Sequence, residues 1–438
     1  MTFHRMLATL FLATLLATTS NADDWPQWRG PSRDGVWHET GLLEKFPDKQ
    51  IKIRWRAKIS SGYSGPTVAQ GRVYVSDRKI EADAQNENGR QTERIHCFDA
   101  ATGKSLWSHQ YDCKYRNISY QAGPRASISI DEGRAYSLGT MGDLFCFAAA
   151  DGKVLWKRGL GADYTIKMPI WGIASSPLVF GDLLILQIGG KEACMIALDK
   201  KTGKEQWRAL KDRASYAAPI IIRQAGKQVL VCWTGDHVAG LNPLTGKVHW
   251  KHPFTPKRMV LNVATPVAHA NRLFVTAFYD GSLMLKLDTE KLGVKEVWRR
   301  RGPSEKKTDS LHSIISTPYL QGDHVYGVDS YGQMRCLDAK TGDRLWENLT
   351  VTSNLRWGNI HMVRNGKRIW MFNDLGELII GELSPKGFKE ISRAKLISPT
   401  RVQLPRRNGV CWAHPAYAGR HVFARNDKEI VCANLTAE

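Results

Sequence analysis

Arginine, aromatic and other polar residues recur together in short segments that each precede a predicted strand. A guanidinium group donates charge-assisted hydrogen bonds to anions and also stacks on aromatic rings. Such residues, gathered at one place, would bind an anionic or planar ligand. The candidate ligand-binding residues are Arg116, Tyr120, Lys167, Trp171, Arg213, Tyr216, Arg258, Asn262, His312, Arg356, Trp357 and Trp412.

Motifs of known catalytic chemistry are absent from the sequence. It contains no His-Glu-x-x-His, Gly-x-Ser-x-Gly, P-loop or EF-hand pattern. Its 13 His residues lack metal-ligand spacing, and its eight Cys residues include no Cys-x-x-Cys pair. We therefore predict no metal site and assign no catalytic residue.

The elements that position these residues come from an internal repeat. Each copy has a short apolar run, a polar turn ending in Gly, and then a Trp. Clear copies occupy residues 97–107, 146–156, 197–207, 240–250 and 336–346, and looser copies end at Trp298 and Ile391. Together with Trp55, which fits the last strand of a copy, these anchors are spaced 43 to 52 residues apart. Gly supplies positive φ in such turns, and Asp or Asn side chains bond the local backbone.

A second signature precedes each copy: a small residue, Pro and an apolar residue, then a Gly or Asn turn and an alternating strand. Residues 64–75, 175–185 and 264–275 are examples. Each unit therefore predicts four short strands, and this period with four strands is typical of a β-propeller blade. We predict an all-β fold, an eight-bladed β-propeller of four-stranded blades. Its ring is closed by an N-terminal strand through Trp55 that completes the C-terminal blade.

The periodic Trp residues are expected to be structural. Aromatic burial is the largest packing contribution available to fill the wedge between neighbouring blades. The predicted docking residues are Trp55, Trp107, Trp156, Trp207, Trp250, Trp298 and Trp346.

The first 22 residues have the pattern of a secretory signal peptide. Arg5 precedes an uncharged apolar stretch at residues 7–19, and Ser20 and Ala22 place small residues before the expected cleavage site. The first Cys is Cys97, so no lipidated N-terminal Cys is expected. We predict a periplasmic or secreted protein, with residues 23–53 as an extension packing on the propeller and residues 54–438 as the propeller itself. No later apolar run is long enough to span a membrane.

The formal net charge of +20 favours an acidic partner or surface. Nucleic acid would satisfy the charge alone, but the export signal argues against it. A monomer is expected.

The repeated phrase resembles the tryptophan-docking motif of propellers with pyrroloquinoline quinone (PQQ)-like repeats. Residues 24–35, 171–177 and 411–415 are similar to secreted members of this family from planctomycete-type bacteria. The resemblance implies one of two branches. In PQQ-dependent dehydrogenases a Ca²⁺-bound quinone sits on the axis and an Asp acts as base, whereas BamB-type propellers bind partners without the cofactor. The sequence lacks the adjacent Cys-Cys of many alcohol-oxidising members, and the dehydrogenase Asp maps to no position in it.

The leading hypothesis is a non-catalytic binding or scaffolding module of the cell envelope. It would use no cofactor and would bind an envelope protein, or an acidic or planar ligand, at the channel mouth. One alternative is a PQQ-dependent oxidoreductase of the alcohol or sugar dehydrogenase type, with PQQ and calcium. A second alternative is a binder of acidic polysaccharide, motivated by the charge.

Overall fold

The computed structural model describes residues 23–83 and 86–437. These residues form eight four-stranded antiparallel sheets arranged as an eight-bladed β-propeller, with one short helix, α1 (Leu160–Tyr164). The predicted fold class is confirmed. The predicted signal peptide lies outside the described residues.

The strands follow one another blade by blade, each blade running from its innermost strand to its outermost. The first strand, β1 (Ile53–Lys58), belongs to the last blade. Blade 1 consists of β2 (Thr67–Ala69), β3 (Arg72–Asp83), β4 (Asn86–Asp99) and β5 (Ser105–Asp112), and blade 2 of β6 (Ser129–Asp131), β7 (Arg134–Leu138), β8 (Asp143–Ala148) and β9 (Val154–Gly159). Blade 3 consists of β10 (Leu178–Phe180), β11 (Leu183–Gly190), β12 (Ala193–Asp199) and β13 (Glu205–Ala209), and blade 4 of β14 (Ile220–Gln224), β15 (Lys227–Trp233), β16 (His237–Leu241) and β17 (Val248–Pro253). Blade 5 consists of β18 (Val267–His269), β19 (Arg272–Ala277), β20 (Gly281–Leu287) and β21 (Val294–Arg300), and blade 6 of β22 (Tyr319–Gln321), β23 (His324–Val328), β24 (Met334–Asp338) and β25 (Arg344–Asn348). Blade 7 consists of β26 (Ile360–Asn365), β27 (Arg368–Asn373), β28 (Glu377–Ser384) and β29 (Gly387–Lys395). Blade 8 consists of β30 (Ala416–Ala418), β31 (His421–Arg425) and β32 (Glu429–Asn434), with β1 as its outer strand.

The ring closes between the two ends of the chain. Strand β1 pairs antiparallel with β32, placing Trp55 opposite Cys432 and Lys58 opposite Glu429. The N-terminal strand thus completes the C-terminal blade, as predicted. Strand β1 thereby covers the edge of β32, which would otherwise be unpaired.

The repeated phrase forms a turn, and this turn is the surface on which a Trp of the adjacent blade packs. Asp99 Oδ1 accepts hydrogen bonds from Thr102 N at 2.9 Å and Thr102 Oγ1 at 2.7 Å, and Gly103 turns the chain with φ of +73°. A Cβ on Gly103 would lie 2.6 Å from the Trp55 ring of the adjacent blade, whose indole N–H donates to Ala100 O at 2.9 Å. Each turn therefore receives the Trp of the blade beside it. The same indole-to-carbonyl bond joins Trp107 to Ala149, Trp156 to Lys200, Trp207 to Pro243, Trp298 to Ala339 and Trp346 to Ser384.

Trp250 makes this contact through an intermediary. The facing turn of blade 5 is longer, and Trp250 Nε1 donates instead to Gln224 Oε1 at 3.0 Å. Gln224 Nε2 then donates to Asp288 O at 3.2 Å and Gly293 O at 2.6 Å in that turn. A glutamine thus bridges Trp250 to the longer turn of blade 5.

The N-terminal segment, residues 23–52, crosses the propeller on the face where the first strands end. Trp25 exchanges backbone hydrogen bonds with Val68 of blade 1 at 2.8 and 2.9 Å, and Trp37 N donates to Arg364 O of blade 7 at 2.8 Å. Between them, the Arg33 guanidinium donates to Pro219 O of the loop entering blade 4 at 3.1 Å. The segment therefore covers part of this end of the central channel.

Candidate functional site

The loops that lead into the first strands, called the entering loops, surround a cavity of about 130 Å³ at the opposite end of the channel. Residues from all eight blades line it, so it lies on the propeller axis. We call it the mouth pocket. It has room for several water molecules. Its aromatic wall consists of Tyr63, Tyr120, Trp171, Tyr216, Trp357 and Trp412, and its aliphatic side of Val263, Ile314 and Ile315.

The aromatic side chains contact one another in a continuous chain. The Trp171 ring centre lies 5.2 Å from that of Tyr216 and 5.6 Å from that of Tyr120. Trp357 follows at 5.6 Å from Tyr120, and Trp412 lies 6.1 Å from Trp357. These distances are typical of edge-to-face and tilted aromatic pairs. The wall is therefore held by ring packing.

One position of the repeat accounts for much of this wall. The residue three before the repeat Pro faces the channel in blades 1, 3, 4, 5, 6 and 8. These residues are Tyr63, Ala174, Tyr216, Val263, Ile315 and Trp412, and all of them line the mouth pocket. In blade 2, where Ile128 stands in the Pro position, the equivalent residue is Arg125, which also lines it. This register in the sequence could have identified Tyr63 and Arg125, which our sequence prediction omitted.

Two guanidinium groups lie against Trp357. Arg406 Cζ lies 4.5 Å from its ring centre and Arg356 Cζ 4.7 Å. Arg356 is neutralised by two 2.8 Å hydrogen bonds to Glu305. Arg406 donates to the Tyr120 hydroxyl, and it forms no ion pair with any residue that the structure describes.

Arg125 adds a second uncompensated charge. Its guanidinium lies 5.0 Å from the Tyr63 ring centre and donates to the carbonyl oxygens of Gly123 at 2.6 Å and Ser119 at 3.1 Å. Within residues 23–83 and 86–437 it contacts no carboxylate. The pocket therefore combines aromatic surfaces with two cations that lack acidic partners, which suits an anionic or planar group.

The floor of the pocket comes from the N-terminal segment and two histidines. Trp28 Nε1 donates to Thr265 Oγ1 at 2.8 Å, and its ring packs edge-on against His414 at 4.5 Å. His361 lies beside them. Burial lowers the pKa of His361 to about 4 and, with the neighbouring His361, that of His414 to about 3. Both rings are therefore neutral at pH 7, and the positive charge of the pocket is confined to the arginines.

Two buried polar groups in the lining have no hydrogen-bond partner among the described residues. They are the buried indole nitrogens of Trp357 and Trp412. Buried donors are normally satisfied by protein or by bound water. These two N–H groups are therefore candidates to bond an acceptor in the pocket.

Buried and half-buried aspartates hold the entering loops that carry the wall. Asp374, fully buried after the second strand of blade 7, accepts hydrogen bonds from Thr352 Oγ1 at 2.7 Å and Ser353 Oγ at 2.6 Å, and it pairs with Arg407 at 2.9 Å. Aspartates in or after the second strand of five other blades accept a backbone N–H of an entering loop. They are Asp77, Asp236, Asp280, Asp329 and Asp427. The entering loops of six blades are thus held by hydrogen bonds to these aspartates, which preorganises the pocket.

The structure brings five of the twelve predicted residues together in the pocket lining: Tyr120, Trp171, Tyr216, Trp357 and Trp412. Arg356 supports the wall from behind Trp357. Six others lie outside the lining: Arg116, Lys167, Arg213, Arg258, Asn262 and His312. Arg116, Lys167 and Arg258 are exposed.

The remaining three of these six stabilise entering loops. Arg213 pairs with Asp236 at 2.7 Å. Asn262 is fully buried and donates to Thr234 O at 2.7 Å. His312 is also buried, and its Nδ1 lies 3.0 Å from Phe278 O.

The lining residues do not fit a calcium-bound quinone. Ca²⁺ prefers six to eight oxygen ligands, with carboxylates prominent among them. Among the described residues that line the mouth pocket there is no Asp or Glu. The described part of the chain also holds no group of three His, Cys, Asp or Glu side chains placed to bind a metal ion. The mouth pocket therefore offers no ligand set for calcium-bound PQQ.

The described residues also contain no helix long and apolar enough to cross a membrane.

Comparisons with known proteins match this architecture. A family model described as outer membrane protein assembly factor BamB matches residues 91–348 and 294–437. The outer membrane protein assembly factor BamB of Burkholderia pseudomallei is 26% identical over 367 residues, covering 78% of this chain and 74% of that protein.

Two solved structures share the fold. BamB from Moraxella catarrhalis aligns with a TM-score of 0.58 and 15% identity, over 87% of this chain and 99% of that one. The quinohemoprotein alcohol dehydrogenase from Comamonas testosteroni aligns with a TM-score of 0.61 and 12% identity, over 95% of this chain and 81% of that one. At these identities the similarity shows the fold alone.

Proposed function

Because the chain belongs to the family of BamB-like β-propellers with PQQ-type repeats, we propose that it is a non-catalytic binding module of the cell envelope. Its binding site is the mouth pocket. The matched relative is named as an assembly factor for outer membrane proteins, which favours an envelope protein as the partner. The predicted export signal is consistent with that location.

One observation carries this proposal: an aromatic pocket on the axis is edged by Arg125 and Arg406, which have no acidic partner among the described residues. An aromatic or otherwise planar group would enter between the rings. A carboxylate or other anion attached to it would then accept from these guanidinium groups. An aromatic residue beside an acidic one on a partner protein has this chemistry.

The PQQ-dependent oxidoreductase is the weaker candidate. A dehydrogenase of that type requires a base and calcium ligands near the quinone, and the described lining offers neutral histidines and no carboxylate. A pocket without these groups supports binding better than it supports oxidation. An acidic polysaccharide would bind the same arginines, so it is tested as a ligand that competes with the probe.

The test is a titration of the mature protein with 1-anilinonaphthalene-8-sulfonate, a planar aromatic anion, followed by tryptophan quenching and probe emission. We expect saturable binding at one site. Arg406→Gln should weaken it roughly fivefold to tenfold, because one charge-assisted contact is removed. Arg116→Gln is the matched control, since Arg116 is an exposed entering-loop arginine outside the lining, and it should leave binding unchanged.

Equal affinities for wild type and Arg406→Gln would place the probe elsewhere and contradict the proposal. Displacement of the probe by an aromatic acidic peptide would support a protein partner. Displacement by alginate with no effect of the peptide would support the polysaccharide instead.

A further inference from the structure

A second cavity, of about 390 Å³, opens on the face of the propeller opposite the mouth. It lies between the inner strands of blades 4, 5 and 6 and the part of the N-terminal segment around residues 29–36. We call it the basal groove. Its lining includes the whole of β18, whose Ala268 and His269 are exposed.

Four arginines line the basal groove: Arg29, Arg33, Arg223 and Arg364. None of them forms an ion pair with a residue in the described ranges. The one acidic residue in the described lining is Asp34, so the groove carries a net positive charge. Apart from the arginines and Asp34, the titratable side chains of this lining are His269 and Tyr319.

Three of these cations are withdrawn from water, Arg33 fully and Arg29 and Arg364 partly. Arg33 is buried, and its donors go to uncharged acceptors, with Gln27 Oε1 at 2.8 Å and Ser176 O at 3.2 Å. Arg364 has a buried Nε with no hydrogen-bond partner in the described chain, and its guanidinium lies 5.9 Å from the Tyr319 ring centre. Removing charge from water without an opposite charge is costly. An anion in the groove would offset that cost.

The chain itself shows how a segment can bind at this face. Trp25 pairs with the inner edge of β2 at Val68, and Val36 with the inner edge of β26 at Arg364. The inner strands β14, β18 and β22 each have a single strand neighbour, and no other described segment pairs with them. Their inner edges remain available for the same strand addition.

We propose that the basal groove binds an extended acidic peptide, which adds as a short strand to the inner edge of β18 and places its carboxylates on the arginines. Alternate side chains of such a strand point to opposite sides. One set would pack on the half-buried Ile222, Val267 and Tyr319, and the other would reach Arg223 and Arg364. The occupant is therefore a segment in which acidic and apolar residues alternate.

The probe is a fluorescein-labelled, N-acetylated hexapeptide of alternating glutamate and valine, measured by fluorescence anisotropy against the full mature chain. Saturable binding is expected, and Arg223→Glu should weaken it roughly tenfold because an attractive charge becomes repulsive. Arg223 is exposed, so the fold should tolerate this change. Arg116→Glu makes the same charge change on the mouth face and should leave the affinity unchanged.

A second probe separates strand addition from simple charge attraction. The same hexapeptide with an N-methyl group on every backbone amide keeps its charge but cannot donate backbone hydrogen bonds, and it should bind at least fivefold more weakly. Equal binding of the two probes, equal effects of Arg223→Glu and Arg116→Glu, or equal binding of a lysine–valine hexapeptide would each overturn the proposal.

Discussion

Substituting Gly152 with Ala tests the docking of the blades. Gly152 adopts φ of +75° in the turn of blade 2, and an added Cβ would lie 2.6 Å from Cδ2 and Cε3 of Trp107. That indole is 9% exposed and is held by its hydrogen bond to Ala149 O at 3.0 Å, so it cannot easily move away. Overpacking of this kind costs about 1–3 kcal/mol. A non-glycine residue at positive φ adds roughly 1–2 kcal/mol.

Gly133 provides a matched control in the same blade. It has φ of +73°, and an added Cβ would meet nothing within 4 Å. Gly133→Ala therefore carries the conformational cost alone, whereas Gly152→Ala carries this cost and the clash. We expect Gly152→Ala to lower the free energy of unfolding by about 1–3 kcal/mol more than Gly133→Ala does. Urea unfolding followed by tryptophan fluorescence measures the difference. Equal urea midpoints for the two variants would refute the docking of Trp107 against this turn.

Three further predictions concern the pocket floor, its histidines and the N-terminus. Trp28→Ala should open the floor and weaken binding of anilinonaphthalenesulfonate several-fold, and an unchanged affinity would show that Trp28 is not part of the site. The pKa values of His361 and His414 are lowered to about 4 and about 3, so the unfolded chain binds more protons below pH 6.5. Unfolding midpoints should therefore be constant above about pH 6.5 and fall as the pH drops towards 4, and a smaller fall is expected in His414→Gln. N-terminal sequencing of the exported protein should begin at Asp23, and an intact Met1 would contradict the predicted cleavage.

The fold could be predicted because its information is local and repeated. Most copies of the turn phrase carry an Asp or Asn that caps the turn, a Gly that permits it and a Trp that packs on the adjacent blade. The copies also fixed the number of blades. Trp55, standing at the start without its own turn, indicated that an N-terminal strand completes the last blade, and β1 does so.

The site was harder to predict because entering loops differ in length and composition. Aromatic content found Trp171 and Trp357, but it could not separate lining residues from loop anchors such as Asn262. Tyr63 and Arg125 have only their register in common with the other lining residues, three positions before the repeat Pro or its equivalent, and the composition of the entering loops does not indicate that register. Trp28 could not be found from the repeat, because it comes from outside the repeated units and reaches the axis through tertiary packing.

We propose that the mouth pocket binds a planar anion without catalysis. The most direct measurement titrates the mature protein with PQQ, a planar aromatic tricarboxylate, in calcium and in EDTA, following tryptophan quenching and dye-coupled alcohol oxidation. We predict saturable quenching with the same dissociation constant in both buffers, weakened in Arg406→Gln, and no dye reduction. Calcium-dependent binding with turnover would contradict the claim, and so would the absence of saturable quenching up to about 1 mM PQQ.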